Sequence, residues 1–216
     1  MVKLKNINRE PILNDRNYRF VPTDFESLNG EYTWSTSNIK KVRNKLKHLK
    51  EPLHEKLKNG LGIDFKSNIG GGYPYGEHPI NSIWLSFTQR KDRAYLPYPQ
   101  LNVEINTEGL AVYFQLIDKS RVKTGKEIWE KHCNNSKNGL ESDKKILIKL
   151  KEQKFEIKRA KDIEMAIKNI DSQGIWIHKE FDKNSVINLQ YDVSDEIFST
   201  LKLLYPIYKI AMSSQT

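Results

Sequence analysis

Glu77 and His78 are the first residues to weigh for chemistry, because a carboxylate beside an imidazole can orient and tune a general base. No Ser or Cys stands at a recognisable nucleophile elbow to complete the pair. The short run Glu156-Ile157-Lys158, with Glu141 or Asp143 upstream, has the acid-x-lysine spacing of metal-dependent nucleases. Its upstream acid falls in a stretch read as helix, which would not aim it at a shared hard cation. His48 and His54 are six apart, so they do not share a helix face. His132-Cys133 lacks two further zinc ligands. The single cysteine, Cys133, allows neither an internal disulfide nor a cysteine cage. Gly70-Gly71-Gly72 is not a phosphate-cradling loop, because no Gly-Lys-Ser/Thr follows it. The sequence therefore assigns no catalytic residue, no metal ligand and no cofactor.

Charge is more informative. The 216 residues carry 36 Lys+Arg against 27 Asp+Glu, a net charge of +9. Between Lys40 and Lys58 stand Lys40, Lys41, Arg43, Lys45, Lys47, Lys50, Lys56 and Lys58, opposed only by Glu51 and Glu55. A second basic run spans Lys144 to Lys161. Such clusters attract polyanions by counterion release without reading sequence. Lys outnumbers Arg, and bidentate base readout prefers Arg, so the expected contact is to phosphates.

Aromatic rings cluster nearby. Tyr73, Tyr75, Trp84, Tyr95 and Tyr98 fall within a short span, beside Arg90, Lys91 and Arg93. Rings beside cations suit base stacking, and the same rings could equally fill a core. The expected nucleic-acid contacts are Lys40, Lys41, Lys47, Lys50, Arg90, Lys91 and Arg93. The expected pocket is bordered by Tyr73, Tyr75, His78, Trp84 and Tyr98.

These residues must be positioned by the fold. Ile39, Val42, Leu46, Leu49, Leu53 and Leu57 recur every three or four residues, predicting an amphipathic helix over 37–59. Gly60 is its expected terminator, and Pro52 should kink or split it. Residues 66–79 read as a Gly/Pro/Tyr-rich loop. Alternation predicts strands over 80–88, 101–106 and 110–117, the last two forming a hairpin. Helices are predicted over 125–133, 143–153 and 162–170, strands over 155–157, 174–181 and 186–191, and a last helix after Ser194 or Asp195 that Pro206 could end. Residues 1–30 read as an irregular arm tacked on by Tyr18, Phe20, Phe25 and Leu28, and residues 31–216 as a single domain. The fold class expected is α+β, a curved antiparallel sheet covered by helices.

Four stretches in order carry a family likeness: the long basic helix, Pro79-Ile80-Asn81-Ser82-Ile83-Trp84-Leu85-Ser86-Phe87, the Arg93–Tyr95 and Tyr98-Pro99-Gln100-Leu101 run, and Leu203-Leu204-Tyr205-Pro206-Ile207-Tyr208-Lys209. Together they resemble the YktB-like uncharacterised bacterial proteins over roughly 25–210. That resemblance implies an α+β fold with a curved sheet and brings no catalytic residues. The charged stretch usual before the Trp strand is replaced here by GGGYPYGEHP. Gly70 to Phe87 with the following hairpin also resembles the N-terminal DNA-binding domain of McrB-type restriction proteins, which implies modified-DNA recognition and a link to phage defence. No Walker motif for the motor that normally follows that domain is present.

The functional expectation is a basic nucleic-acid-binding module without catalysis of its own. One alternative is an enzyme, a metal-dependent nuclease or small-molecule hydrolase, using Glu77, His78 and Glu104. Another is a subunit of a defence or toxin system that meets a protein partner. No stretch is long and apolar enough for a membrane span, and a soluble, cytoplasmic protein is expected.

Overall fold

A computed structural model describes residues 18–71, 78–89, 99–116, 146–150, 153–156, 175–190 and 192–213. The elements are α1 (Pro22–Glu26), α2 (Ser37–Leu61), β1 (Lys66–Gly70), β2 (Ser82–Thr88), β3 (Gln100–Asn106), β4 (Gly109–Leu116), β5 (Ile146–Leu150), β6 (Gln153–Glu156), β7 (Ile175–Asp182), α3 (Lys183–Leu189) and α4 (Val193–Ser213). The strands form one open sheet in the order β1-β2-β3-β4-β7-β5-β6. Every neighbouring pair is antiparallel. Helices pack against this sheet, so the α+β class is as expected.

The apolar stripe of α2 is the reason the helix docks. Ile39, Val42, Leu46, Leu49, Leu53 and Leu57 are all fully buried. They meet Ile83, Leu85 and Phe87 of β2 and Ile197, Leu201 and Leu204 of α4 in one core. The β3–β4 hairpin forms where alternation placed it, with Val103 opposite Val112. Its turn depends on Gly109, whose φ of +151° is favourable only for glycine. A Cβ there would lie 2.1 Å from the Phe181 carbonyl oxygen on β7.

Several expectations are corrected. Residues 66–70 are strand β1 rather than loop, because their backbone completes a ladder with β2 from Lys66–Thr88 to Gly70–Trp84. The helix expected over 143–153 contains strand β5, which pairs with β6 and β7. Its run Ile146-Leu147-Ile148 fits either period, and sheet pairing decides. Residues 186–189 belong to helix α3 rather than a strand. The Asp182 side chain accepts the Ser185 amide at 3.0 Å and nucleates that helix. Helix α2 runs through Pro52 without interruption and ends on Gly62, with φ +69°, rather than Gly60. Helix α4 likewise passes Pro206 and continues to Ser213. In both helices tertiary burial outweighs the lost backbone bond. Part of the arm is ordered: Asp24 of α1 accepts the Val21 amide at 2.7 Å and pairs with Lys45 of α2 at 2.5 Å. Phe20, Phe25 and Leu28 are buried in the core, as expected of residues that tack the arm down. The helices expected over 125–133 and 162–170 lie outside the described residues.

Candidate nucleic-acid interface

The outward side of α2 is built by periodicity. With the apolar stripe fixed on the core, Lys40, Arg43, Lys47 and Lys50 fall three, four and three residues apart, in one row along the helix. At 1.5 Å per residue the row is about 15 Å long. Lys40, Lys41, Arg43 and Lys47 are exposed, and Lys50 is half-buried. Lys50 lies 3.5 Å from the exposed Glu51 carboxylate, a weak contact. Two other cations of the helix are engaged elsewhere, Lys45 with Asp24 and Lys56 with Asp195 at 2.6 Å. Like charges three and four residues apart weaken a helix by a few tenths of a kcal/mol per pair, so the clustering of charge in this row does not itself help the helix form.

An indole flanks this row. The segment before α2 runs beside Ile80, whose amide donates to the Tyr32 carbonyl at 2.8 Å, while the Gly30 amide donates to the Ile80 carbonyl at 3.2 Å. That pairing brings Trp34 against Gly71, where a Cβ would lie 3.0 Å from Trp34 Cζ2. The Arg43 guanidinium carbon stands 5.4 Å from the centre of the Trp34 ring, a cation–π contact. Trp34 Nε1 is buried and has no acceptor among the described residues.

Of the sequence-predicted residues, the structure gathers Lys40, Lys47 and Lys50 with Arg43 on one row. Lys41 lies off that row. Trp84 lies on the other face of the sheet. It pairs with Gly70, whereas α2 covers the face of Ser67 and Phe87: His54 Nε2 is 2.8 Å from Ser67 Oγ, and its ring lies 5.4 Å from Phe87. The aromatic beside the cations is therefore Trp34, which sequence reading did not single out. His78 is exposed. Arg90, Lys91, Arg93, Tyr73, Tyr75, Tyr98 and Glu77 lie outside the described residues. Burial lowers the His54 pKa, helped by neighbouring Lys50, which favours the neutral imidazole on the core side of α2.

The second face of the sheet is unexpectedly polar. Ser86, Asn102, Tyr113 and His178 form one cross-strand row over β2, β3, β4 and β7, and all four are buried. Ser86 Oγ donates to Asn102 Oδ1 at 2.5 Å, and Asn102 Nδ2 to Gln115 Oε1 at 3.2 Å. The Tyr113 hydroxyl donates to Glu104 Oε2 at 2.9 Å. His178 Nδ1 lies 3.3 Å from Glu180 Oε1. The signal was in the sequence, in the polar halves of LNVEIN, AVYFQ and WIHKE, but alternation alone gives those positions to solvent.

Burial raises the Tyr113 pKa well above 10, and the Glu104 carboxylate beside it adds to the shift. The folded state therefore holds this proton more tightly than the unfolded chain. Stability is intact below pH 10 and falls as pH rises beyond it. Burial also raises Tyr208. The expected result is alkaline destabilisation starting near pH 10, measured by urea titration, with a visibly shallower decline in Tyr113→Phe. Equal slopes for the two proteins would contradict this assignment.

No family model matches the chain, and no curated protein matches it. Among solved structures the chain is similar to a conserved hypothetical protein from Pyrococcus furiosus, at 16% identity over 77% of this chain and 98% of that one, with a TM-score of 0.38.

Proposed function

We propose that the protein is a basic nucleic-acid-binding module that uses the outward side of α2. The observation that carries this reading is the row Lys40, Arg43, Lys47 and Lys50, a band of cations along one helix that lies beside an indole. DNA presents a phosphate every 3.4 Å or so along each strand, so a row of about 15 Å faces several of them. Resemblance to McrB-type DNA-binding domains is in keeping with this reading and extends it to restriction or phage defence. The test is a titration of fluorescent oligonucleotides with the protein at low salt, followed by anisotropy. Saturable binding is expected. No binding at low salt would remove the proposal.

A second reading, an enzyme, is favoured by the buried polar face. Its His/Glu site would be His178 with Glu180, and Tyr113 with Glu104, in place of His78 and Glu77. Active sites hold charged groups at a cost to stability, and removing such groups commonly stabilises the fold. Under this reading Glu104→Gln, which keeps the shape and the acceptor for Tyr113, raises the melting temperature by about 2–4 °C. A lower melting temperature marks the network as structural support and counts against catalysis there.

A further inference from the structure

We infer that the α2 face takes single-stranded nucleic acid in preference to duplex, with the Arg43 guanidinium as the stacking platform. This rests on the nucleic-acid reading above and names the form of ligand. Three groups come together at the end of β1. Gly71 comes first, close enough that a Cβ would press on the Trp34 ring. The indole of Trp34 follows. Arg43 lies over that ring at 5.4 Å and is itself exposed. The exposed group at this point is therefore a guanidinium, with an indole beneath it that Gly71 approaches closely.

Such a guanidinium differs from a lysine in what it can offer. Its edge donates to phosphate, and its flat face accepts a stacked base. Lys40, Lys47 and Lys50 continue the same row and offer point charges only. In a duplex the flat faces of the bases are covered by their neighbours, and only edges and backbone are presented. An unpaired strand can lay its backbone along the lysines and turn one base onto Arg43. Duplex would meet the same charges and leave the platform unused. Stacking of one base is worth at least about fivefold in affinity.

The experiment compares a fluorescein-labelled single-stranded DNA of about 12 nucleotides, a usual site size for such proteins, with its own duplex. Wild type and Arg43→Lys are titrated with both at one low salt concentration. Lysine keeps the charge and removes the plane. Wild type is expected to bind the single strand at least about fivefold more tightly than the duplex, and Arg43→Lys to lose that preference. Equal affinity of wild type for both forms, or a duplex preference, overturns this inference and leaves the electrostatic reading standing. A preference that survives in Arg43→Lys overturns the role given to Arg43. Failure of wild type to bind either form overturns both proposals.

Discussion

Changing Lys40, Arg43, Lys47 and Lys50 together to glutamine lowers affinity for any oligonucleotide by at least about tenfold at 50 mM salt. The expectation follows from counterion release, where each lost phosphate contact removes about 0.7–0.9 from the slope of log affinity against log salt. None of the four belongs to the buried stripe of α2, although Lys50 is half-buried and Arg43 rests on Trp34, so the core is spared and the cost to the fold is small. Removing like charges spaced three and four apart strengthens the helix slightly. That gain offsets part of the lost Arg43–Trp34 contact, so the melting temperature should stay within a few degrees of wild type while binding collapses. Lys45 serves as the internal control. Its ammonium pairs with the buried Asp24, so its removal costs stability rather than binding. A quadruple variant that binds as wild type does would place the contact elsewhere on the molecule.

Gly109→Ala is expected to be the most damaging single substitution in the described residues. The methyl group would sit 2.1 Å from the Phe181 carbonyl oxygen and 2.9 Å from the Lys183 nitrogen, both backbone atoms that cannot turn aside. The φ of +151° adds strain for any L side chain. Relief requires parting β4 from β7, the pairing that links the two halves of the sheet. A loss of roughly 3 kcal/mol or more is expected in urea unfolding, from the strain and broken pairing together. A loss under about 1 kcal/mol would show that the hairpin can shift its turn without cost.

Much of this architecture was legible in the sequence because one periodicity dominated. Six apolar residues at helical spacing fixed α2, and with it which cations face outward. Clean alternation gave β2, β3 and β4. What failed was local and had local causes. Residues 66–70, with Lys66, Asn68 and Gly70, carry weak strand propensity, and the ladder to β2 makes them a strand. Val186 and Ile187 suggest a strand until Asp182 is seen capping a helix. Prolines 52 and 206 were overvalued as breakers because burial of the same helices was not in view.

The site was legible in part. Its charge row could be read once the helix was known, since the polar side follows from the apolar one. Its ring could not. Trp84 alternates properly in its strand, but a strand pattern does not say which face a distant helix will cover. Trp34 reaches the row only through the backbone pairing of residues 30–32 with Ile80, a long-range contact with no local trace. The buried polar face was hidden for a similar reason, because alternation cannot distinguish a solvated face from a covered one.

The most direct measurement of the central claim is the salt dependence of oligonucleotide affinity for wild type and the quadruple glutamine variant, between 50 and 200 mM. Four phosphate contacts predict that wild-type affinity falls by about a hundredfold across that range on duplex and somewhat less on a single strand, linearly on logarithmic axes, with the variant nearly flat. A flat wild-type response, or a variant with the wild-type slope, would contradict the assignment of phosphate contact to α2.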